Sequence, residues 1–239
     1  MRTVAGTIET ALARLFGETV KVTGAGRTDR GVHATGQVVS LSTGGRFPFD
    51  RLTVAVRGLL PVDLSVCETA VVDPGFSARF SARERTYIYA ILNRPAPSAL
   101  MERYAHHVAR PLDLDAMRKA GEPLVGEHDF RSFASPAILQ TEAGCAVRRV
   151  RRLEIEPRGE LLRIAIAANG FLHHMVRTIV GTLVECATGR RSPGEIPAIL
   201  AARDRSAAGP TAPANGLYLA GVRYADGYDS FAEPPILGR

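Results

Sequence analysis

The amino-acid sequence predicts a fold of the α+β class, in which helices and strands are interleaved through both halves of the chain. The 239 residues include 46% apolar residues, which is enough to bury a sizeable core. Apolar residues recur at helical spacing in some segments and alternate with polar residues in others. Because both kinds of segment occur early and late in the chain, we expect each half to mix helices with strands.

The first half begins with a helix, and two short strands then flank a glycine-rich loop. Apolar residues recur at helical spacing over Val4–Leu15, with Thr3 as the candidate N-cap and Gly17 as the stop. Glu18–Thr23 predicts a strand that enters the loop, and Gln37–Ser42 predicts a strand that leaves it.

Three further elements complete the first half. Asp50–Leu60 predicts a helix that ends before Pro61. Val62–Val72 is rich in β-branched residues and therefore predicts a strand. Arg85–Leu92 alternates as a strand, which places its two tyrosines on one face.

The second half begins with a helix and a hairpin. Leu114–Ala120 predicts a helix behind Asp113, whose side chain is a candidate N-cap. Cys145–Glu156 and Leu161–Ala168 predict the two strands of a β-hairpin around the turn at 157–160.

The last predicted elements are two helices and a strand. A helix is predicted to open within Asn169–Gly181 and to run to about residue 187. Ser192–Glu195 has the pattern of a capping box with proline in the first turn, and it predicts a helix that ends near Arg203. Gly216–Tyr224 predicts the final strand, and the tail from Ala225 is expected to be weakly ordered.

These elements suggest a division of the chain into two halves. We expect an N-terminal half at 1–92, a linker at 93–112, a C-terminal half at 113–225 and a tail at 226–239. The two prolines within Asn93–Ser98 favour a connecting segment there.

The charge of the chain favours a polyanionic partner. The formal net charge is +6, and the isoelectric point is about 9.6. Most of the positive charge is on arginine, which binds phosphate through two parallel hydrogen bonds. Arginine can also be abundant through genome composition alone, so the charge favours nucleic acid without requiring it.

Cysteine usage and hydropathy favour a reducing, aqueous compartment. Cys67, Cys145 and Cys186 are scattered and form no Cys-x-x-Cys pair, which argues against a disulfide framework or a zinc site. The N-terminus lacks the charged and apolar regions of a signal peptide. Apolar stretches such as Leu161–Ala168 are too short to span a bilayer. We therefore expect a cytoplasmic protein with no membrane partner.

The stretch with the clearest chemical content is the loop Gly24–Val38. Four glycines in this loop let the backbone turn sharply and approach a ligand. Asp29 lies close to Arg27 and Arg30, and nearby positive charge favours an ionised carboxylate. An ionised carboxylate on a fixed loop can act as a nucleophile or a general base.

Three other interpretations of this loop compete with a catalytic one. A dinucleotide-binding fingerprint requires glycine where Asp29 stands, and a phosphate-binding loop requires lysine where Val32 stands. A tight turn that carries only a surface ion pair fits the spacing equally well, and spacing alone does not separate it from a catalytic loop.

Gly26–Ala34 closely resembles the active-site signature of the tRNA pseudouridine synthase A family. The resemblance implies that Asp29 is the catalytic residue and that the reaction converts uridine to pseudouridine at positions 38–40 of tRNA. The isomerisation needs neither a redox step nor hydrolysis, so no cofactor or metal ion is implied. The resemblance also implies tRNA as the partner and a homodimer as the assembly.

Two motifs of the first half resemble family elements that contact the substrate. The resemblance implies that Tyr87, the first tyrosine of a Tyr-x-Tyr strand, stacks on the target uracil, whereas Tyr89 is expected to pack in the core. The turn Phe76–Phe80 resembles the RNA-contacting loop of the family. The implied RNA-binding residues are Arg27, Phe76, Ser77, Ala78, Arg79 and Phe80.

The segment Asn169–Gly181 resembles the second active-site motif of the family. The resemblance implies that Arg177 pairs with Asp29, almost 150 positions earlier in the sequence. His173 and His174 are adjacent, and on a helix their side chains would point about 100° apart. This predicted geometry argues against a shared metal ion.

The resemblance extends from Thr3 to about Tyr224 and implies more about the fold. It implies two ferredoxin-like halves that form one continuous, mostly antiparallel sheet, with helices on one face and an active-site cleft between the halves. Family members usually carry a strand before the first helix. Either the start of this chain lies upstream or the first half lacks that strand.

Two other functions remain open from the sequence. A non-catalytic RNA-binding module would keep the basic surface, but a relic would be expected to lose one of Asp29, Tyr87 and Arg177. A nucleoside glycosidase could also use Asp29, and it would release the free base.

Overall fold

The computed structural model describes residues 2–136, 146–225 and 227–238. These residues form two compact units. The first unit comprises the chain up to Arg27 together with Val38–Ala82, and the second comprises Thr28–Gln37 together with the chain from Arg83 onward. None of the described helices is long and apolar enough to cross a membrane.

The helices and strands have the following bounds in chain order. They are α1 (Val4–Phe16), β1 (Thr23–Gly24), β2 (His33–Ala34), β3 (Val39–Ser40), α2 (Phe49–Leu59), β4 (Ala82–Asn93), β5 (His106–Val108), α3 (Leu114–Gly121), β6 (Gly126–Asp129), β7 (Val147–Arg158), β8 (Leu161–Ala168), α4 (Met175–Ala187), α5 (Ile196–Ala202), β9 (Leu217–Tyr224) and β10 (Ser230–Phe231).

The first unit is built on the two helices α1 and α2. The side chain of Thr3 caps α1 by accepting the N–H of Gly6, and Gly17 ends it in the left-handed region at φ 70°. Both predicted signals are therefore correct. The apolar faces of the helices meet in a small core that includes Ile8 and Val56. β1 and β3 pair antiparallel beside the glycine-rich loop.

The predicted strands of the first unit are mostly wrong. The strands that flank the loop are only two residues long, and Val62–Val72 forms no strand. Instead, the Arg57 side chain donates hydrogen bonds to the carbonyls of Val66 and Cys67. Val62 is fully exposed. β-branched residues favour a strand only where a neighbouring strand pairs with them, and here a helix side chain occupies the backbone acceptors.

The second unit contains a sheet with the strand order β10-β9-β4-β8-β7-β6. The hairpin β7–β8 is present, and its turn contains Gly159 at φ 62°. Most of the pairs are antiparallel, whereas β2 runs parallel to β9 and β5 runs parallel to β4. This sheet and its helices confirm the predicted α+β class. Cys145, the predicted first residue of the hairpin, lies outside the described residues.

Two helices of the second unit, α3 and α5, begin where the sequence predicts. The Asp113 side chain accepts two backbone N–H groups at the start of α3. Ser192 and Glu195 form the capping box, which opens a short 3₁₀ turn that continues into α5. α4 is buried along most of its length.

The C-terminal tail packs against the second unit, and the prediction of weak order is wrong. β10 pairs with β9, the Glu233 carboxylate accepts a hydrogen bond from Arg163 at 2.7 Å, and Leu237 is buried in an apolar cluster. The physical reason is that these contacts lie far apart in sequence, so local composition gives no signal of them.

The close approach of α4 to the loop at 209–214 depends on Gly181. A Cβ on Gly181 would lie 1.8 Å from the carbonyl oxygen of Pro210, which is a backbone atom. Gly181→Ala should therefore lower the free energy of unfolding by about 1–3 kcal/mol, because the loop or the helix must shift. The matched control is Gly58→Ala in α2, where a Cβ meets nothing within 4 Å. This control should be neutral or stabilising by roughly 0.5–1 kcal/mol. Thermal melts of both variants check this, and equal shifts would contradict the packing described here.

Candidate active site

Asp29 lies in a segment of the second unit that is fixed to β9. The segment turns immediately after Asp29, where the Val32 N–H donates to the Asp29 carbonyl at 3.0 Å and Gly31 has φ 85°. β2 then pairs with β9, and the N–H groups of Thr35 and Gly36 both donate to the Leu219 carbonyl. The backbone around Asp29 is therefore set by a neighbouring strand.

Two side-chain features hold the same segment in place. The ring of His33 stacks on Tyr218 with a centroid distance of 4.8 Å, and its Nε2 atom lies 2.8 Å from the Arg103 carbonyl. Gly36 approaches β9 so closely that a Cβ would lie 2.1 Å from the carbonyl oxygen of Ala220. His33 is thus a structural residue in this fold, and any side chain at position 36 would push the segment off the sheet.

Arg177 contacts Asp29, as the resemblance implies. Its Nη1 atom lies 3.1 Å from Asp29 Oδ2, and its Nε–H donates to the Ala212 carbonyl at 2.8 Å. The Arg177 side chain is 16% exposed, and the Asp29 side chain is 30% exposed. A charge with so little access to water is destabilising unless it is paired. The carbonyl and the carboxylate together fix the guanidinium, while Arg30, next to Asp29 in sequence, is exposed.

His173 and His174 also reach Asp29, and the predicted geometry of this pair is wrong. His173 precedes α4, and His174 occupies its N-cap position in the left-handed region at φ 65°. Consequently the two rings do not diverge: they stack with a centroid distance of 3.8 Å. Their Nε2 atoms lie 3.2 Å from Oδ1 and 3.3 Å from Oδ2 of Asp29.

The ligand atoms of Asp29, His173 and His174 lie within 4.8 Å of one another, so the residues were tested as a metal site. An ion would have to lie in the plane of each imidazole, about 2.0–2.1 Å from the nitrogen. Two rings stacked at an interplanar angle of 28° cannot meet that condition for one ion. Arg177 also places a cation on the same carboxylate. The arrangement therefore fits a carboxylate held by hydrogen bonds from His173 and Arg177 better than a metal site.

Tyr87 lies on β4, opposite Ile166 of β8, and is 8% exposed. The pKa of its phenol is raised to about 12, mainly by burial; Arg85 lowers it and the charge of Asp29 raises it. The phenol is neutral at physiological pH and can donate a hydrogen bond. The ring of Phe171 meets Tyr87 edge to face, with a centroid distance of 5.0 Å.

Tyr89 has the predicted structural role. It is fully buried, and its hydroxyl donates to the Pro213 carbonyl at 2.8 Å. Burial raises the pKa of its phenol far above the usual range.

The predicted RNA-binding residues Arg27 and Phe76–Phe80 belong to the first unit. Arg27 is exposed. Ala78 is buried, and its N–H donates to the Ser40 hydroxyl at 3.0 Å, which anchors the turn. Phe80 is 81% exposed, and the Arg79 guanidinium lies over its ring at 5.4 Å. The turn thus presents a large aromatic ring and a cation to the solvent.

The sequence did not predict three contacts around Asp29 and Tyr87. These are the histidine pair on the carboxylate, the Phe171 ring on Tyr87 and the Ala212 carbonyl on Arg177. The His-His pair beside a motif arginine was visible in the sequence, but its orientation depends on one left-handed residue that no pattern indicates.

Together these residues form a site suited to carboxylate chemistry. The Asp29 carboxylate lies beside the Arg177 guanidinium and the two imidazoles. The neutral phenol of Tyr87 is close enough for the charge of Asp29 to raise its pKa. Such a carboxylate can attack carbon or remove a proton from it, and the phenol can stack on a base and exchange a proton.

Comparisons with known proteins agree with this chemistry. A family described as tRNA pseudouridine synthase matches residues 120–225. The tRNA pseudouridine synthase A of Moorella thermoacetica is 46% identical over 226 residues, which cover 93% of this chain and 89% of that protein. The protein of the same name from Brevibacillus brevis is 46% identical over 222 residues, which cover 93% of this chain and 90% of that protein. The protein of the same name from Caldicellulosiruptor bescii is 42% identical over 223 residues, which also cover 93% of this chain and 90% of that protein. The chain belongs to the tRNA pseudouridine synthase A family.

Proposed function

We propose that this chain isomerises uridine to pseudouridine at positions 38–40 of tRNA, with Asp29 as the catalytic residue. The observation that carries the proposal is the contact between Asp29 and Arg177, two charged residues in separate sequence motifs that meet with restricted access to water. Relatives that share more than 40% identity over nine-tenths of this chain are named tRNA pseudouridine synthase A.

The reaction exchanges one bond to the ribose for another. The bond from C1′ to N1 breaks, the base rotates, and a bond from C1′ to C5 forms; the proton of C5 leaves and N1 gains one. These atoms are hidden in a stacked helix, so the nucleotide must first be flipped out. Asp29 serves either route to bond cleavage: it attacks C1′ directly, or it removes a ribose proton to give a glycal.

Arg177 and Tyr87 have complementary roles in this proposal. Arg177 fixes the direction of the carboxylate and stabilises its charge before substrate binds. Tyr87 lies beneath the detached uracil as a flat, neutral ring while the base rotates. Its raised pKa keeps the phenol protonated, so it can supply a hydrogen bond to the base.

The first unit supplies the proposed RNA contacts. Arg27 and Arg79 are exposed and can pair with phosphate, and the ring of Phe80 can stack on an unpaired base. The net charge of +6 favours association with tRNA. We further propose that the protein works in the cytoplasm and as a homodimer.

Asp29→Asn should abolish pseudouridine formation while the protein still folds and binds tRNA. The amide has nearly the same shape as the carboxylate, but it cannot attack carbon or accept a proton from it. Nucleoside analysis of tRNA after incubation measures the product, and free uracil in the same assay would indicate a glycosidase instead. Activity within about tenfold of the wild type, roughly 1.4 kcal/mol of barrier, would remove Asp29 from the central role.

Arg177→Lys should lower kcat strongly, because a flexible ammonium cannot hold both Asp29 and the Ala212 carbonyl as the guanidinium does. Arg177→Met should lower kcat further and also reduce the melting temperature, since Asp29 is then left without its cation. The matched control is Arg191→Lys, because Arg191 is similarly buried but pairs with Glu185. A variant of Arg177 with wild-type turnover would contradict the assignment.

Arg27→Ala and Arg79→Ala should each weaken tRNA binding and reduce its salt dependence. Each lost phosphate contact should reduce the slope of log K against log salt by about 0.7–0.9. Filter binding or anisotropy at several salt concentrations gives the slope, and Arg14→Ala, an exposed arginine of α1, is the control. If all three variants keep the wild-type slope, Arg27 and Arg79 do not touch phosphate.

A further inference from the structure

Two adjacent histidines lie against the two oxygens of one carboxylate, and His173 is hydrogen bonded to it. His173 Nε2 lies 3.2 Å from Asp29 Oδ1, and His174 Nε2 lies 3.3 Å from Oδ2. Arg177 reaches Oδ2 from the first turn of α4 at 3.1 Å. Asp29 is therefore surrounded by three nitrogen atoms, of which those of His173 and Arg177 are hydrogen bonded to it.

The backbone at His174 makes this arrangement possible. Consecutive residues of a helix point about 100° apart, so a helical conformation would send one ring away from Asp29. The left-handed conformation of His174, at φ 65° and ψ −2°, brings the rings face to face. Non-glycine residues in this region are uncommon and concentrate at functional sites. Two backbone hydrogen bonds hold this conformation of the chain. The Ser135 N–H donates to the His173 carbonyl, and the Thr178 N–H donates to the His174 carbonyl.

The carboxylate of Asp29 determines which nitrogen of a bound neutral imidazole carries the hydrogen. A carboxylate only accepts hydrogen bonds, so a neutral imidazole that binds it must carry its hydrogen on Nε2. The neutral His173 ring then leaves Nδ1 as its unprotonated nitrogen. The neutral pair can hold the carboxylate without placing a positive charge on it, and it can also take up a proton.

We propose that His173 and His174 are positioning residues for Asp29, and that a proton taken up by the pair makes Asp29 less reactive. The His173 ring donates its Nε2–H to Oδ1, and the His174 ring lies against Oδ2 with its Nε2 atom 3.3 Å away, so that the two rings together set the rotation of the carboxylate. The inference deepens the proposed function and rests on the catalytic role of Asp29.

The charges around His174 favour its neutral form. Burial lowers the pKa of His174 below its ordinary value of 6.5, and His173, Arg177 and Arg205 lower it as well, whereas Asp29 raises it. The stacked rings repel a second positive charge. Near neutral pH His174 is thus uncharged, and as pH falls through its pKa the ring becomes cationic. An imidazolium at His174 forms an ion pair with Asp29, which makes the carboxylate a weaker nucleophile.

The test compares the pH dependence of kcat in three proteins at saturating tRNA. In the wild type, kcat should fall about tenfold per pH unit below the pKa of His174. The double variant His173→Gln, His174→Gln keeps an N–H donor at each position but does not titrate, so its kcat should stay level over this range. The double variant His173→Leu, His174→Leu should lose roughly 10- to 100-fold in kcat at every pH, since donors to a charged group are removed. KM should change little in either variant.

Three results would overturn the proposal. The first is a glutamine variant whose kcat falls at low pH as the wild type's does. The second is a leucine variant with the kcat of the wild type. The third is a leucine variant in which KM rises while kcat is unchanged. The glutamine variant also guards against a failure to fold, because it keeps the polar contacts that the leucine variant removes.

A second measurement separates this proposal from the proposed function. Nitrogen NMR of the imidazoles follows the titration of His174 with no substrate present. In Asp29→Asn the pKa of His174 should fall, because the carboxylate that raises it is gone. An unchanged pKa, or hydrogen on Nδ1 rather than Nε2 in the wild type, would refute the positioning contact. If the NMR shifts occur but no pseudouridine forms, the proposed function fails while the histidine contact stands.

Discussion

The second unit depends on keeping one carboxylate, that of Asp29, charged in a place with little water. Asp29 and Arg177 are mostly shielded from solvent, and either charge alone would be destabilising there. The contact can form only if the loop after Thr28 and the first turn of α4 are both fixed. The pairing of β2 with β9 fixes the loop, and burial fixes the helix.

The surrounding contacts show how a small number of backbone positions define this site. Gly36 lets the loop lie directly on β9, and Gly181 lets the segment that carries the Ala212 carbonyl lie directly on α4. His174 turns the chain just before α4, so that its side chain joins the others. Hydrogen bonds that are set before the substrate arrives need no rearrangement during the reaction. The site therefore has the preorganised character that carboxylate catalysis requires.

Local signals in the sequence predicted much of the fold, and contacts distant in sequence were predicted least well. Thr3 and the capping box that begins at Ser192 were predicted correctly, because a cap involves residues only a few positions apart. Val62–Val72 was predicted wrongly as a strand, since strand formation depends on a partner that composition does not reveal. The contact of Arg177 with Asp29 followed from family resemblance, whereas the position of His174 depends on its own left-handed backbone and had no signal.

The contact between Asp29 and Arg177 is tested most directly by a double-mutant cycle on the melting temperature. The proteins are the wild type, Asp29→Asn, Arg177→Met and the double variant. If the two charges depend on each other, the double variant should melt at or above the temperature of Arg177→Met, because removing both charges leaves neither one unpaired. Strictly additive losses would contradict the account, since they would show that the two side chains stabilise the fold independently.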